Sequence, residues 1–446
     1  MKKLATLSLF AVAAMAITAC GPSVKDYDGT EVQGINETTI LVGNTAATTG
    51  AFATVGVPFN DGLKAALKVY NDQGGFKGKK VELKHYDDGF DGAVGYTYTK
   101  QLVEDDKVFA LLGHFGTNTV VSTVDYIKEK GIPMFYGVTG VPQLYQEKAE
   151  GYNRAVMSVQ PIFSGEGKVL LARALAAKDG GIGLGGSKVG VISTTDDVGL
   201  GMKEAIQVQA KSLKNGVVTY VETQAEAGTN HAAAVQTLKN AGVDTIIIAA
   251  NQVPFGEILT YIKDAGIKAN ILTSYLSANA VTLGQLEESG AINADRPTYT
   301  NAWLDITSDK GMSDYLAYAA TCYYYYGVDQ SDVTNPAWQD AFSLGINSYA
   351  MAGFVAGAMF TEALKRVEEA NKDLTWKNFI DEVEDGRMNV PMGGTIDFSE
   401  GKRHGITDLA LNRANKNSEG GAGLDAVDGI RTLDEIWAKI PAALLK

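Results

Sequence analysis

Thr39-Ile40-Leu41-Val42, the run from Phe59 to Tyr70, Gly74-Gly75 and Val81-Glu82-Leu83 together decide the fold of this chain. The first run is apolar and β-branched, which suits a half-buried pleated surface. The second sets Leu63, Leu67 and Tyr70 at helical spacing, so one stripe of the helix is apolar. The glycine pair stops that helix, and the third run begins a new strand. Strand, helix and strand in succession read as a βαβ unit with parallel pairing.

The same rhythm continues along the chain. Helical patterns at 93–106 and 120–130 alternate with strands at 108–112 and 132–136. After a polar connection near 145–162, helices at 163–178, 199–214, 230–241 and 255–265 alternate with strands at 188–192, 217–222, 245–249 and 271–273. So many units exceed one comfortable open sheet, and 446 residues is a two-domain length. The expected fold class is therefore α/β, with two doubly wound parallel-sheet lobes. Ligands of such sheets lie beyond the carboxyl ends of the strands. The loops of interest are then 44–56, 113–119, 137–142, 193–199, 250–254 and 273–279.

The N-terminus carries a second message. Met1-Lys2-Lys3 precedes an almost wholly apolar or small segment, Leu4 to Ile17, that ends in Ile17-Thr18-Ala19-Cys20. A charged start, an apolar core and a small-residue exit read as a secretory signal; the core is too short for a membrane span. The last four residues resemble a bacterial lipobox, which implies that 1–19 is a signal peptide and Cys20 the lipidated new N-terminus. Residues 20–37 are polar and turn-rich, the composition of a flexible tether.

The formal charge is −13, or −15 once Lys2 and Lys3 leave with the signal. That balance argues against a nucleic-acid partner, which rewards basic patches. With only Cys20 and Cys322, lipidation of the first leaves the second without a disulfide partner, and a Cys-rich zinc site is unavailable.

Several motifs fail on context. Gly181 to Gly186 spells GxGxxG but follows a helix and precedes a strand, whereas a dinucleotide loop needs the reverse order. Asp87-Asp88-Gly89-Phe90-Asp91-Gly92 lacks the spacing of a calcium loop and reads as a strand-to-helix turn with Asp91 near the cap. The four histidines are scattered, and no Gly-x-Ser-x-Gly elbow occurs. No metal, no cofactor and no catalytic residue is expected. Tyr323 to Tyr326 cannot all face one way on a helix; two or three are expected to pack inside the first lobe, the alternative being a partner surface.

Gly43 to Gly56, Gly74-Gly75-Phe76-Lys77-Gly78, Tyr86-Asp87-Asp88, Leu102-Val103-Glu104-Asp105, Gly113-His114, Gly131-Ile132-Pro133 and Gly151-Tyr152 follow in an order that resembles the type I periplasmic binding proteins of the leucine/isoleucine/valine-binding kind. The resemblance covers most of 38–410. It implies two lobes joined by three crossing segments, a small ligand in the cleft between them, and an ABC permease as membrane partner. It places lobe one at 38–158 plus 300–400 and lobe two at 159–299 plus 401–446.

The resemblance also assigns site residues. Thr117, after Phe115 and Gly116, falls where the family's hydroxyl contacts a ligand carboxylate; Val138 and Gly140 fall where backbone groups do so. A hydroxyl with free N–H groups seats an anion without a buried cation, and Thr117 also suits a helix N-cap. Val55 stands where the first lobe offers an aromatic wall. Val198 and Asn251 stand at two tyrosine positions, and Tyr275 stands where the family places the acid that pairs with the ligand's ammonium. A buried ammonium needs an acceptor or countercharge. Asp196 or Asp197 would supply one, unless they merely cap the helix that follows; the other alternative is a ligand without an ammonium. The expected function is capture of an amino acid or related small carboxylate or amide by a lipid-anchored, extracytoplasmic importer subunit. A sensor of the same fold and an exported enzyme are the competing readings.

Overall fold

The computed structural model describes residues 32–306, 308–418 and 423–446; the signal segment, Cys20 and the start of the tether lie outside them. The first sheet holds β1 (Thr39–Ala46), β2 (Lys80–Asp87), β3 (Ala110–Leu112), β4 (Met134–Phe135) and β5 (Val156–Met157), in the order β2-β1-β3-β4-β5. Every pair in it is parallel. Its crossovers are α1 (Ala53–Asp72), α2 (Gly92–Lys100) and α3 (Thr117–Lys130). The helix expected to reach 106 ends at Lys100 and widens into a π-turn over Gln101–Asp105.

The second sheet begins after α4 (Phe163–Leu175) with β6 (Val189–Thr194), β7 (Val218–Thr223), β8 (Thr245–Ala249), β9 (Asn270–Thr273) and β10 (Thr298–Ala302). These five are parallel to their neighbours. Between them run α5 (Asp197–Ala210), α6 (Ala232–Ala241), α7 (Gln252–Asp264) and α8 (Ala280–Glu288). The chain then returns to the first lobe for α9 (Asp309–Tyr326), α10 (Pro336–Gly345), α11 (Ser348–Glu369), α12 (Trp376–Glu384) and the hairpin β11 (Arg387–Val390) and β12 (Gly394–Asp397). It finishes in the second sheet with antiparallel β13 (Leu409–Ala414) and β14 (Leu424–Arg431), giving the order β14-β13-β10-β9-β8-β6-β7.

The chain crosses between lobes after β5, after β10 and before β13. The expected division at 299/300 falls inside β10, because that strand stays paired with β9 and β13 as far as Thr300 and Ala302. The expected division at 400/401 also comes early: Gly401 still accepts a hydrogen bond from Ala149 N at 2.7 Å, in the first lobe. The third crossing is pinned by fully buried Arg403. Its Nε donates to Val156 O at 3.0 Å and its Nη2 to Arg154 O at 2.6 Å, and its charge pairs with Glu384. In the second lobe buried Arg173 meets Asp428 at 2.6 Å, tying α4 to β14. Buried charges of this kind tolerate loss of a partner poorly.

The tyrosine run ends α9. Tyr324 is exposed, with its hydroxyl on Asp72 at 2.8 Å, while Tyr323 packs on Trp338 and Tyr325 on Tyr326.

α11 lies against α1 at backbone contact. A Cβ built on Gly62 would stand 1.9 Å from Ala350 O, and one on Gly353 would stand 1.9 Å from Phe59 O. Alanine is normally better than glycine in a helix by about 1 kcal/mol, yet overpacking costs about 1–3 kcal/mol. In urea titrations G353A should therefore lower stability. G284A, on α8 where an added Cβ meets nothing within 4 Å, should raise it by up to about 1 kcal/mol.

Candidate functional site

Three loops of the first lobe are locked together beyond the strand ends. Phe115 N donates to Thr45 O at 3.1 Å, Gly116 N to Val138 O at 3.2 Å, and Val138 N to His114 O at 2.8 Å. Gly116 adopts φ +100°, a conformation glycine takes at little cost, and it places Thr117 at the first position of α3 with no side-chain cap. The opening N–H groups of a helix lack intrahelical acceptors and carry the positive end of its dipole. Thr117 Oγ1 lies 2.9 Å from Thr139 Oγ1 beside them. The arrangement can receive an anion. His114 stands behind it as a strut: it is fully buried, bonded to Thr123 at 3.1 Å, and pushed down to about 3 by burial, so it is neutral.

Aromatic side chains form the adjoining wall. Phe52 and Phe90 stack with centroids 3.9 Å apart, and Phe59 leans on Phe115 at 5.5 Å. Phe90 holds φ +71°, strained for a bulky residue. Asp88 accepts its N–H at 2.9 Å and Asn118 donates to its carbonyl at 3.1 Å. Strain held in place by neighbours is common where a ligand is clamped.

The second lobe contributes Asn251, which caps α7, and the loop after β9. Tyr275 N donates to Glu166 Oε1 at 2.9 Å, Ser274 Oγ to Glu166 Oε2 at 2.8 Å and Asn301 Nδ2 to Oε1 at 3.4 Å. Burial outweighs these bonds and pushes the Glu166 carboxyl up to about 7. The Tyr275 hydroxyl donates to Pro161 O at 3.0 Å, and burial raises it far above its ordinary range. At the rim, α11 bonds directly to the second lobe. Tyr349 OH donates to Leu276 O at 2.8 Å and bonds Gln252, and Ser348 Oγ donates to Ala278 O at 2.7 Å.

Between these walls lies a cavity of about 670 Å³, within the range of small-molecule sites. Val55, Phe115, Thr117, Val138, Asn251 and Tyr275 line it; Gly140 and Asp196 do not. Gly140 packs against the first crossing: its carbonyl accepts from Phe163 N at 2.6 Å, and a Cβ there would stand 2.4 Å from Pro161 O. Asp196 is spent as the N-cap of α5, accepting from Gly199 N at 3.0 Å and Thr194 Oγ1 at 2.6 Å. Asp87-Asp88-Gly89-Phe90-Asp91 is a turn in which Asp91 caps α2. Sequence reasoning passed over Phe52, Trp303 and Tyr349 as lining residues, and also Asn412 and Asp425. Phe52 lies inside the loop 44–56, but the other four come from elements outside the strand-and-loop rhythm. Among the described lining residues the one carboxylate is Asp425.

Two doubly wound lobes with three crossings and a cavity between them define a two-lobed ligand-capture protein of type I periplasmic-binding architecture. The periplasmic binding protein family matches residues 39–421, and the chain belongs to that family. A Leu/Ile/Val-binding protein homolog 3 of Brucella melitensis is 26% identical over 62% of this chain and 70% of its own length. Among solved structures, the fatty acid ABC transporter substrate-binding protein from Thermomonospora curvata superposes with TM-score 0.72 at 16% identity, covering 93% of this chain and 98% of its own. An ABC transporter solute-binding protein of R. palustris, in complex with 4-hydroxybenzoate, gives 0.69 at 17% identity, covering 90% and 98%. All three relatives are binding proteins by name, two of them of ABC transporters.

Glu166 makes a pH prediction. Its folded carboxyl is raised to about 7 above the ordinary range of a free one, so the native state holds a proton that the unfolded chain has released. The stability it contributes is full below the free carboxyl's pKa and is lost as pH rises from there through about 7. Unfolding measured against pH should fall across that window in the native protein, and E166Q should flatten the slope.

Proposed function

We propose that this chain is the extracytoplasmic capture subunit of an ABC importer, tethered through lipidated Cys20, which passes its ligand to a membrane permease without chemical change. The ligand class we infer is a small organic acid or amide with an apolar body and no α-ammonium. One observation carries that choice. The open start of α3 and the Thr117 hydroxyl offer a seat for a carboxylate, while the position opposite is held by Tyr275, whose hydroxyl already serves Pro161. Glu166, the nearest carboxyl beneath that loop, is buried and shares its oxygens with Ser274, Tyr275 and Asn301. A buried ammonium without an acceptor is too costly to accept. The aromatic wall and a cavity of about 670 Å³ favour a bulkier body than a branched-chain amino acid presents. The fatty acid and 4-hydroxybenzoate named for two structural relatives fit the same description.

The test is a melting panel on the chain from residue 21, comparing aliphatic and aromatic acids, their amides and α-amino acids. A ligand at 100 times its Kd should add about 2.7 kcal/mol. Stabilisation by α-amino acids alone would refute the ammonium-free reading, and no stabilisation by any acid or amide would refute capture. T117V should weaken a carboxylate ligand by at least about 1 kcal/mol in calorimetric titration, whereas unchanged affinity would move the seat elsewhere.

A further inference from the structure

The cavity continues past the cleft along the last two strands of the second lobe, β13 and the edge strand β14. In the β13–β14 ladder Asn412 pairs with Ala426 and Ala414 with Leu424, so these side chains share one face of the sheet. The start of α8 closes over them: a Cβ on Gly423 would lie 2.6 Å from Ala280 Cα. Leu424 and Ala426 give this arm an apolar floor, and beyond it cluster Asn412, Asn415, Asn417, Ser418 and Asp425.

Their hydrogen bonds are unevenly used. Asp425 accepts from Arg413 at 3.0 Å and from Asn415 Nδ2 at 2.9 Å, which holds its carboxyl below the usual range. Asn415 Oδ1 accepts from Asn417 N at 3.1 Å. The side-chain amides of half-buried Asn412 and exposed Asn417 bond to no other described residue. Ser418 is 8% exposed, and its Oγ also has no partner among the described residues. Native structures rarely leave such a group unpaired without a reason.

We propose that this arm is a second subsite, which binds a neutral hydrogen-bonding group, an amide or hydroxyl, at the far end of an elongated acid whose carboxylate sits at Thr117. The proposal rests on the capture reading above and extends it. Charge decides the class of group. Asn412, Leu424 and Ala426 carry none, and Asp425, one residue out of phase with them in the ladder, is paired with Arg413, so nothing on this face balances a second carboxylate or an ammonium. An amide offers both donors and acceptors, which match the free asparagine amides and the serine hydroxyl.

The test uses calorimetric titration of the chain from residue 21 with three series, each at six, eight and ten carbons: the straight-chain acid, the dicarboxylic acid and its monoamide. At one length or more the monoamide should bind at least tenfold tighter than the plain acid, and the dicarboxylate should bind more weakly than the monoamide. N412L and N417L should each shrink the monoamide's advantage. Equal affinity of acid and monoamide at every length overturns the second subsite and leaves capture standing, as does an advantage that survives both substitutions. Should a variant fail to fold, the native ratio across lengths still decides. If no member of the series binds while smaller acids do, the elongated ligand is wrong; if no acid or amide binds at all, the capture reading falls with it.

Discussion

Backbone hydrogen bonding past the ends of β1, β3 and β4 underlies the first lobe's half of the site. Phe115 pairs with Val138 as a parallel bridge after the named strands have stopped. The ladder thereby reaches into loops that would otherwise move independently. Because Phe115 N is held by Thr45 and Gly116 N by Val138, the first turn of α3 can point in only one direction. A helix start placed by sheet hydrogen bonds is preorganised, and preorganisation lowers the ordering cost of binding. The strand order β2-β1-β3 makes this possible, since the loops after β1 and β3 part at the switch point and leave room between them.

The second lobe solves the same problem with a side chain. Glu166, on α4, gathers Ser274, the Tyr275 amide and Asn301 from the loop after β9 and from β10. A carboxyl pushed up to about 7 is an expensive brace, because desolvation is only partly offset by its three donors. It stiffens the floor beneath the cavity while presenting no free oxygen to it. Tyr275 and Glu166 thus form one unit: the residue at the cavity wall is a tyrosine, and the acid beneath it is occupied holding that tyrosine's loop in place. This is a physical reason to expect an uncharged ligand body at that wall.

The alternation of strands and helices up to Thr273 was legible because buried parallel strands and amphipathic crossovers leave strong periodic signals. The cleft-facing loops followed from it by the carboxyl-end rule, whereas Thr117, Val138, Asn251 and Tyr275 were named within those loops by the family resemblance. Gly140 came from the same resemblance and Asp196 from the need for a countercharge, but a loop position does not reveal what a side chain is already doing. Asp196 was consumed as a cap, and Gly140 was covered by the crossing chain. Beyond Thr273 the signal weakened. β13 and β14 are antiparallel strands with polar residues, β14 at the sheet edge, and α9 to α12 carry no intervening strands to set a rhythm. The third crossing depends on Arg403 reaching carbonyls some 250 positions away in sequence, a long-range fact that no local window contains.

The direct bonds between the lobes at the rim are individually modest. Those from Tyr349 and Ser348 to the loops after β8 and β9 are each worth only about 0.5–1.5 kcal/mol net. Backbone carbonyls serve as acceptors in two of them, so they do not depend on the ligand's chemistry. A few such bonds hold the geometry of the mouth without determining whether the cleft stays shut. That decision falls to whatever bridges Thr117 in the first lobe and the second-lobe wall, since a ligand shifts a two-state equilibrium only by its difference in affinity for the two states. An acid that fills one lobe alone supplies little of that difference. A longer one that reaches Asn412 and Ser418 contacts both lobes and converts its length into closure.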